Sequence, residues 1–172
     1  FYKKFFIKYN SKKIRLNIEN VTNYEDKKKT GSLDILFINK NTSLNYDLDQ
    51  KSLNFISEDN PNTYKGTVDF KPFHFSTYLN YDGISTKNIF DNNSIFVDLF
   101  ESEMLLNKNL SANLDLNVKD ITNINELNNL NLKMMIEEGD IKFSDSFMMW
   151  KDDLKIKLNE GQLVLNDEGI NM

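Results

Sequence analysis

"LSANLDLNVKDITNINELNNLNLKMMIEEGDIKF" runs from Leu110 to Phe143, and through most of it every second position is Leu, Ile, Val, Met or Ala. The positions between hold Asn, Asp, Lys and Glu. A repeat of two is that of a β-strand, whose side chains point alternately to opposite faces, so the stretch predicts strands with one apolar and one wet face.

Turn residues set the expected register. Gly139-Asp140, taken as a two-residue hairpin loop, puts Ile136 opposite Phe143. Glu160-Gly161, taken the same way, puts Leu158 opposite Leu163 and Ile156 opposite Leu165. Both alignments set apolar against apolar, which joins the segments into one meander with one apolar face.

The same alternation precedes this stretch. It is carried by Ile14, Leu16 and Ile18, by Leu33, Ile35 and Phe37, by Leu44, Tyr46 and Leu48, and by Leu53 and Phe55. A loop follows at Glu58 to Asn62, then strands at Val68 and Phe70 and from Phe73 to Tyr81, with a turn expected at Asp82-Gly83. Ile89, Phe90, Ile95, Phe96, Leu99, Phe100 and Met104 then follow helical spacing, with Ser85 and Asn93 or Ser94 as caps and an end near Asn107. The fold expected is mainly β: an antiparallel meander forming a curved, groove-like sheet with one short helical insert at about 85–107. The chain reads as a single β-rich domain over 1–172, with a first strand group at 1–84, the insert, and a C-terminal meander at 108–172. It starts at Phe1, so a piece of a longer protein is expected, and "DEGINM" at the end reads as the start of another strand.

Composition narrows function by exclusion. With 40% hydrophobic and 27% charged residues and only two prolines, the chain lies among folded globular sequences. The net charge is -5 and the lysines are interspersed with acids, which disfavours nucleic acid. Lys3, Lys4, Lys8, Lys12 and Lys13, interleaved with Phe1, Tyr2, Phe5, Phe6 and Ile7, read as a strand with solvated lysines. There is no cysteine, so thiolate chemistry and disulfides are excluded. No run approaches the length of a membrane span.

Catalytic signals are few. The only histidine, His74, alternates away from Phe73 and Phe75 and is expected on the solvent face of a strand. Asp145, Asp152 and Asp153 lack metal-loop spacing and read as turn and surface residues. The six glycines form no phosphate loop and read as turn positions. "SFMMW", Ser146 to Trp150, reads as an inward-facing strand or edge segment that completes the core. No catalytic residue, metal ligand or cofactor is expected.

The stretch from Thr67 to Asp167 resembles the C-terminal portion of AsmA-like proteins, an envelope family related to the large bridge-like proteins with a repeating β-groove. "GTVDFKPFHFSTYLNYDGISTKNIF" is similar to the family's strand, proline, further strand and helix start. "SIFVDLFESEMLLNKNLSANLDLNVKDI" is similar to its amphipathic helix and lead into a long alternating strand. "LNLKMMIEEGDIKFSDSFMMWKDDLKIKLNEGQLVLND" matches its strand, glycine hairpin and strand ending in Asp-Ser. The resemblance implies a non-catalytic periplasmic body, held to the inner membrane by a segment outside these residues. Such a body would handle or transport phospholipid and influence outer-membrane assembly.

On that reading the stripe is a passive lining for phospholipid acyl chains. Its residues are Leu110, Ala112, Leu114 and Leu116, then Leu130, Leu132, Met134 and Ile136, then Ile141 and Phe143, and last Leu154, Ile156, Leu158, Leu163 and Leu165. The rival reading is a closed β-sandwich serving as a scaffold or adhesion module, in which the same alternation is ordinary core. A hydrolase would need two carboxylates converging in a cleft.

Overall fold

The computed structural model describes the backbone of residues 2–10, 15–23, 28–37, 40–60, 63–86, 107–124, 126–166 and 169–171, with side chains over 28–34, 42–60, 63–86, 107–124 and 126–163. The protein is mainly β. The strands are β1 (Tyr2–Asn10), β2 (Arg15–Asn23), β3 (Lys28–Phe37), β4 (Lys40–Leu48), β5 (Ser52–Ser57), β6 (Tyr64–Phe70), β7 (Phe73–Ser85), β8 (Ser111–Thr122), β9 (Leu127–Glu137), β10 (Asp140–Trp150), β11 (Leu154–Asn166) and β12 (Gly169–Asn171). They fall into two compact units, Phe1–His74 and Phe75–Met172.

In the first unit β1 to β6 pair antiparallel, each with the next. The period-two pattern sets the register: Leu33 pairs with Leu44, Leu48 with Leu53, and Leu53 with Val68. Leu44 and Tyr64 are buried, and burial pushes the Tyr46 phenol above its ordinary pKa. The β4–β5 turn is closed by the Asp49 carboxylate, which accepts the Lys51 and Ser52 N–H groups at 2.7 and 2.8 Å. Those two bonds, Lys51 foremost, hold the Asp49 carboxyl below its usual range.

Four of the six glycines depart from expectation. Gly31 lies within β3 opposite Tyr46, and Gly66 within β6 opposite Phe55. Gly161 lies within β11 opposite Phe143. In each case a residue without a side chain faces a ring, which leaves space for the bulky partner on a pleated face. Asp82-Gly83 is no turn either: β7 runs through both to Ser85.

In the second unit β8 to β12 pair antiparallel, each with the next. β7 and β8 pair parallel, with Phe75 beside Ala112 and Ser85 beside Thr122. The sheet is therefore mixed where a pure antiparallel meander was expected. The physical reason is connection length, because a parallel neighbour requires a crossover of a dozen or more residues. Residues 87–106, which carry most of the expected helical insert with Asn93 and Ser94, lie outside the described residues.

Two turns also fall elsewhere. The β9–β10 hairpin turns on Glu138-Gly139, one residue before the expected Gly139-Asp140, so that Ile136 faces Ile141 and Met134 faces Phe143. Both loop residues are left-handed, Glu138 at φ 55° and Gly139 at φ 90°. This is the signature of a tight hairpin turn whose twist matches the strands. The shift leaves the apolar face intact, since opposing positions still have the same parity.

Glu138 is an unfavourable residue there, and asparagine tolerates the left-handed region better. Glu138→Asn is expected to stabilise the fold by about 0.5 kcal/mol, a part of the ~1 kcal/mol that a left-handed L-residue costs. A raised urea midpoint with an unchanged slope is the check.

Glu160-Gly161 is no hairpin. β11 continues unbroken from Leu154 to Asn166, and the chain turns at Lys151 to Asp153 instead. That turn is closed by the Asp153 N–H donating to the Trp150 carbonyl at 3.2 Å, with Lys151 and Asp152 left-handed. The short strand expected in the last residues is present as β12.

Candidate functional site: one apolar sheet face

The pairings of the second unit resolve into cross-strand rows. Phe75, Ala112, Ile136, Ile141 and Leu163 form the first row, each beside the next. Thr77, Leu114, Met134, Phe143 and Gly161 form the second. Leu79, Leu116 and Leu132 make the third, and Tyr81, Val118 and Leu130 the fourth. Directly paired residues share a face, so these rows form a single apolar surface.

Beyond the second row the strands slip twice. Between Phe143 and Phe147, β10 carries one residue more than β9; between Phe147 and Met149, β9 carries one more than β10. Asp145 sits in the first slip at φ 46° and Asn129 in the second at φ 47°, and Asp and Asn are the residues that accept this region by bonding locally. Phe147 is thereby opposite Asn131, on the polar face, while Ser146, Met148 and Trp150 turn to the apolar face.

β11 follows β10 without a register break. Ser146 faces Leu158, Met148 faces Ile156 and Trp150 faces Leu154, whereas Phe143 faces Gly161 and Ile141 faces Leu163. Even-numbered and odd-numbered residues of one strand therefore serve the same surface. A β-carbon added at Gly161 would lie 3.3 Å from Leu158 Cδ1, as expected of neighbours on one side.

Ser146 is the pin of this arrangement. It is 4% exposed, and its hydroxyl accepts the Lys133 N–H at 3.0 Å and lies 3.2 Å from the Ser144 carbonyl oxygen, to which it can donate. The hydroxyl thus replaces a ladder bond lost at the slip. Ser146→Ala leaves the Lys133 amide without its partner and is expected to cost about 1–3 kcal/mol, read as a lowered urea midpoint.

Nearly all the residues expected to line the surface are gathered there. Ala112, Ile136 and Ile141 form a buried cluster, with Leu110, Met134, Phe143 and Leu163 packed against it. Leu114, Leu116, Leu130 and Leu132 are half-buried. Leu154, Ile156 and Leu158 are exposed, at 59%, 43% and 44%. Leu165 pairs with Ile170, and its side chain lies outside the described residues. "SFMMW" divides: Ser146 is buried inward as expected, but Phe147 points to the other face and Trp150 is 40% exposed.

Sequence reasoning missed Phe75, Thr77, Leu79 and Tyr81, which join the surface through the parallel pairing. It also missed Val118, although Val118 continues the alternation of Leu114 and Leu116 and is 2% exposed.

The opposite face is polar. The Asn131 amide donates to Asn117 Oδ1 at 2.7 Å and Asn117 donates to Asp115 Oδ1 at 3.1 Å. Lys142 pairs with Glu137 at 3.3 Å, and the Lys155 ammonium lies 3.7 Å from the centre of the Phe147 ring.

His74 is half-buried within β7 rather than open to solvent. Asp145 lies mid-strand and Asp152 in the next turn, separated by roughly 20 Å of extended chain. Among the described residues no group of three or more His, Asp or Glu could hold a metal, and no helix is long and apolar enough to cross a membrane. Comparison with family models, with curated proteins and with solved structures found no match to this chain.

Proposed function

We propose that the apolar face of β7 to β11 carries phospholipid acyl chains, in an envelope protein of the AsmA-like kind whose body lies in the periplasm. The observation behind this reading is the apolar surface whose third row, Leu79, Leu116 and Leu132, stays half-buried, as do Leu114 and Leu130 on either side of it, while Thr77, Tyr81 and Val118 in the adjoining rows are buried. A stacked second sheet normally takes such residues to full burial.

The dimensions suit the cargo. From Ala112 to Val118 the surface runs roughly 20 Å along the strand, and one leaflet of a bilayer holds about 15 Å of hydrocarbon. Each methylene removed from water contributes about 0.8 kcal/mol. Head groups would remain in water beside the polar margins, and no bond is made or broken.

The test is mass spectrometry of an organic extract from detergent-free protein. Stoichiometric phospholipid supports the reading. A lipid-free extract from a stable monomer overturns it in favour of a scaffold whose apolar face is core.

A further inference from the structure

We propose that a recess on the polar face of β8 to β10 binds a single pyranose ring. This does not depend on the acyl-chain reading, which concerns the opposite face.

The recess lies where the sheet is irregular. Asn129 is left-handed at φ 47°, β9 carries one residue more than β10 beside it, and the β8–β9 pairing skips Lys119 and Asn129. Such breaks often sit beside binding sites, where they re-aim side chains. The cavity here measures about 190 Å³ and is lined by Asn117, Lys119, Asn129, Asn131 and Phe147, over a floor of Val118 and Leu130. It is smaller than the roughly 300–1,000 Å³ of pockets that enclose drug-sized ligands, so it suits one small ring.

One carboxylate fixes the sense of the hydrogen-bonding groups. Asp115 Oδ1 can only accept, and it takes the Asn117 amide at 3.1 Å and lies 3.5 Å from the Asn131 amide. Asn117 Oδ1 then receives Asn131 Nδ2 at 2.7 Å, which leaves Asn131 Oδ1 as an open acceptor. Asn129 Nδ2 donates to Asn128 Oδ1 at 3.2 Å, so Asn129 Oδ1 is open in the same way. Among the described residues no acid pairs with the Lys119 ammonium.

Two acceptors, one cationic donor and an aromatic ring make a set that vicinal hydroxyls complete. Each sugar hydroxyl both donates and accepts, so neighbouring hydroxyls can serve Asn131, Asn129 and Lys119 together. The C–H groups of a pyranose carry slight positive charge, which the negative face of an aromatic ring such as Phe147 attracts. Lys155 Nζ occupies one side of that ring, 3.7 Å from its centre, and Lys155 does not line the recess. An anion fits less well, because the Asp115 carboxylate stands behind the amides and both open oxygens would repel it.

The test titrates isotope-labelled protein with the methyl pyranosides of glucose, galactose, mannose and N-acetylglucosamine, following the side-chain amide signals of Asn129 and Asn131. At least one glycoside is expected to shift both signals saturably, with a Kd on the order of 1 mM. The free sugars are run in parallel: tighter binding of the glycoside marks the end of a glycan, tighter binding of the free sugar a monosaccharide, and either supports the site. Asn129→Gly keeps the left-handed backbone without the amide, and Phe147→Leu keeps apolar bulk without the ring. Each is expected to weaken binding at least about fivefold at an unaltered urea midpoint. If Phe147→Leu lowers that midpoint, Asn129→Gly alone decides. No saturable shift with any of the four glycosides overturns the proposal. So do equal shifts with inorganic phosphate, or undiminished affinity in the Asn129→Gly protein.

Discussion

Leu132→Asp protein, purified alongside the parent and extracted in the same way, is expected to carry little or no phospholipid while keeping its sheet. Leu132 lies in the third row beside Leu116 and is half-buried. A carboxylate there must stay hydrated, which drives adjoining acyl methylenes back into water. Displacing about four methylenes costs roughly 3 kcal/mol at ~0.8 kcal/mol each, a loss of more than a hundredfold in affinity. The fold should survive because the position is not sealed from solvent, and a charge that reaches water escapes the penalty of a buried one. Leu114→Asp, one row away, should behave alike. If both proteins fail to fold, the rows are closed core and the lipid reading falls.

Ile141→Ala is expected to have the largest effect on stability of any single truncation on this face. Ile141 is 1% exposed and belongs to the cluster with Ala112 and Ile136. Truncation there removes transfer energy and leaves a cavity, together about 3–4 kcal/mol. Ile156→Ala makes the same chemical change at a residue 43% exposed, and is expected to cost less than ~1 kcal/mol because little area returns to water and no cavity forms. Urea denaturation of the two proteins side by side is the check. Equal losses would mean that the surface is covered throughout.

What the chain discloses before folding is its faces, and what it conceals is mostly turns and neighbours. Leu114, Leu116, Leu132 and Met134 announce their shared side by period alone, because a strand permits only two directions for a side chain. The passage from even residues at Leu158 to odd ones at Leu163 admits two explanations, a hairpin or a slipped strand, and both preserve the apolar face. Glu160-Gly161 resembles turn chemistry, so the hairpin is the natural expectation; the slip depends on Asp145 taking a left-handed backbone. Glu138 conceals its turn for a related reason, being a residue that rarely adopts that conformation. The parallel partnership of β7 with β8 has no local signature, since alternation within a strand carries no information about the direction of its neighbour.

The same partnership bears on how the protein reaches its native state. Ile136 and Ile141 meet across a tight hairpin, whereas the Thr122 hydroxyl and the Ile84 carbonyl, 3.3 Å apart, belong to residues 38 positions apart in sequence. Loop-closure entropy rises by about 0.6 kcal/mol per doubling of the loop, so the longer closure costs roughly 2 kcal/mol more before any contact repays it. β8 to β11 can therefore zip together as a chain of local closures, with β7 arriving late. Substitutions at Leu79 should chiefly quicken unfolding, and those at Ile136 should chiefly slow folding.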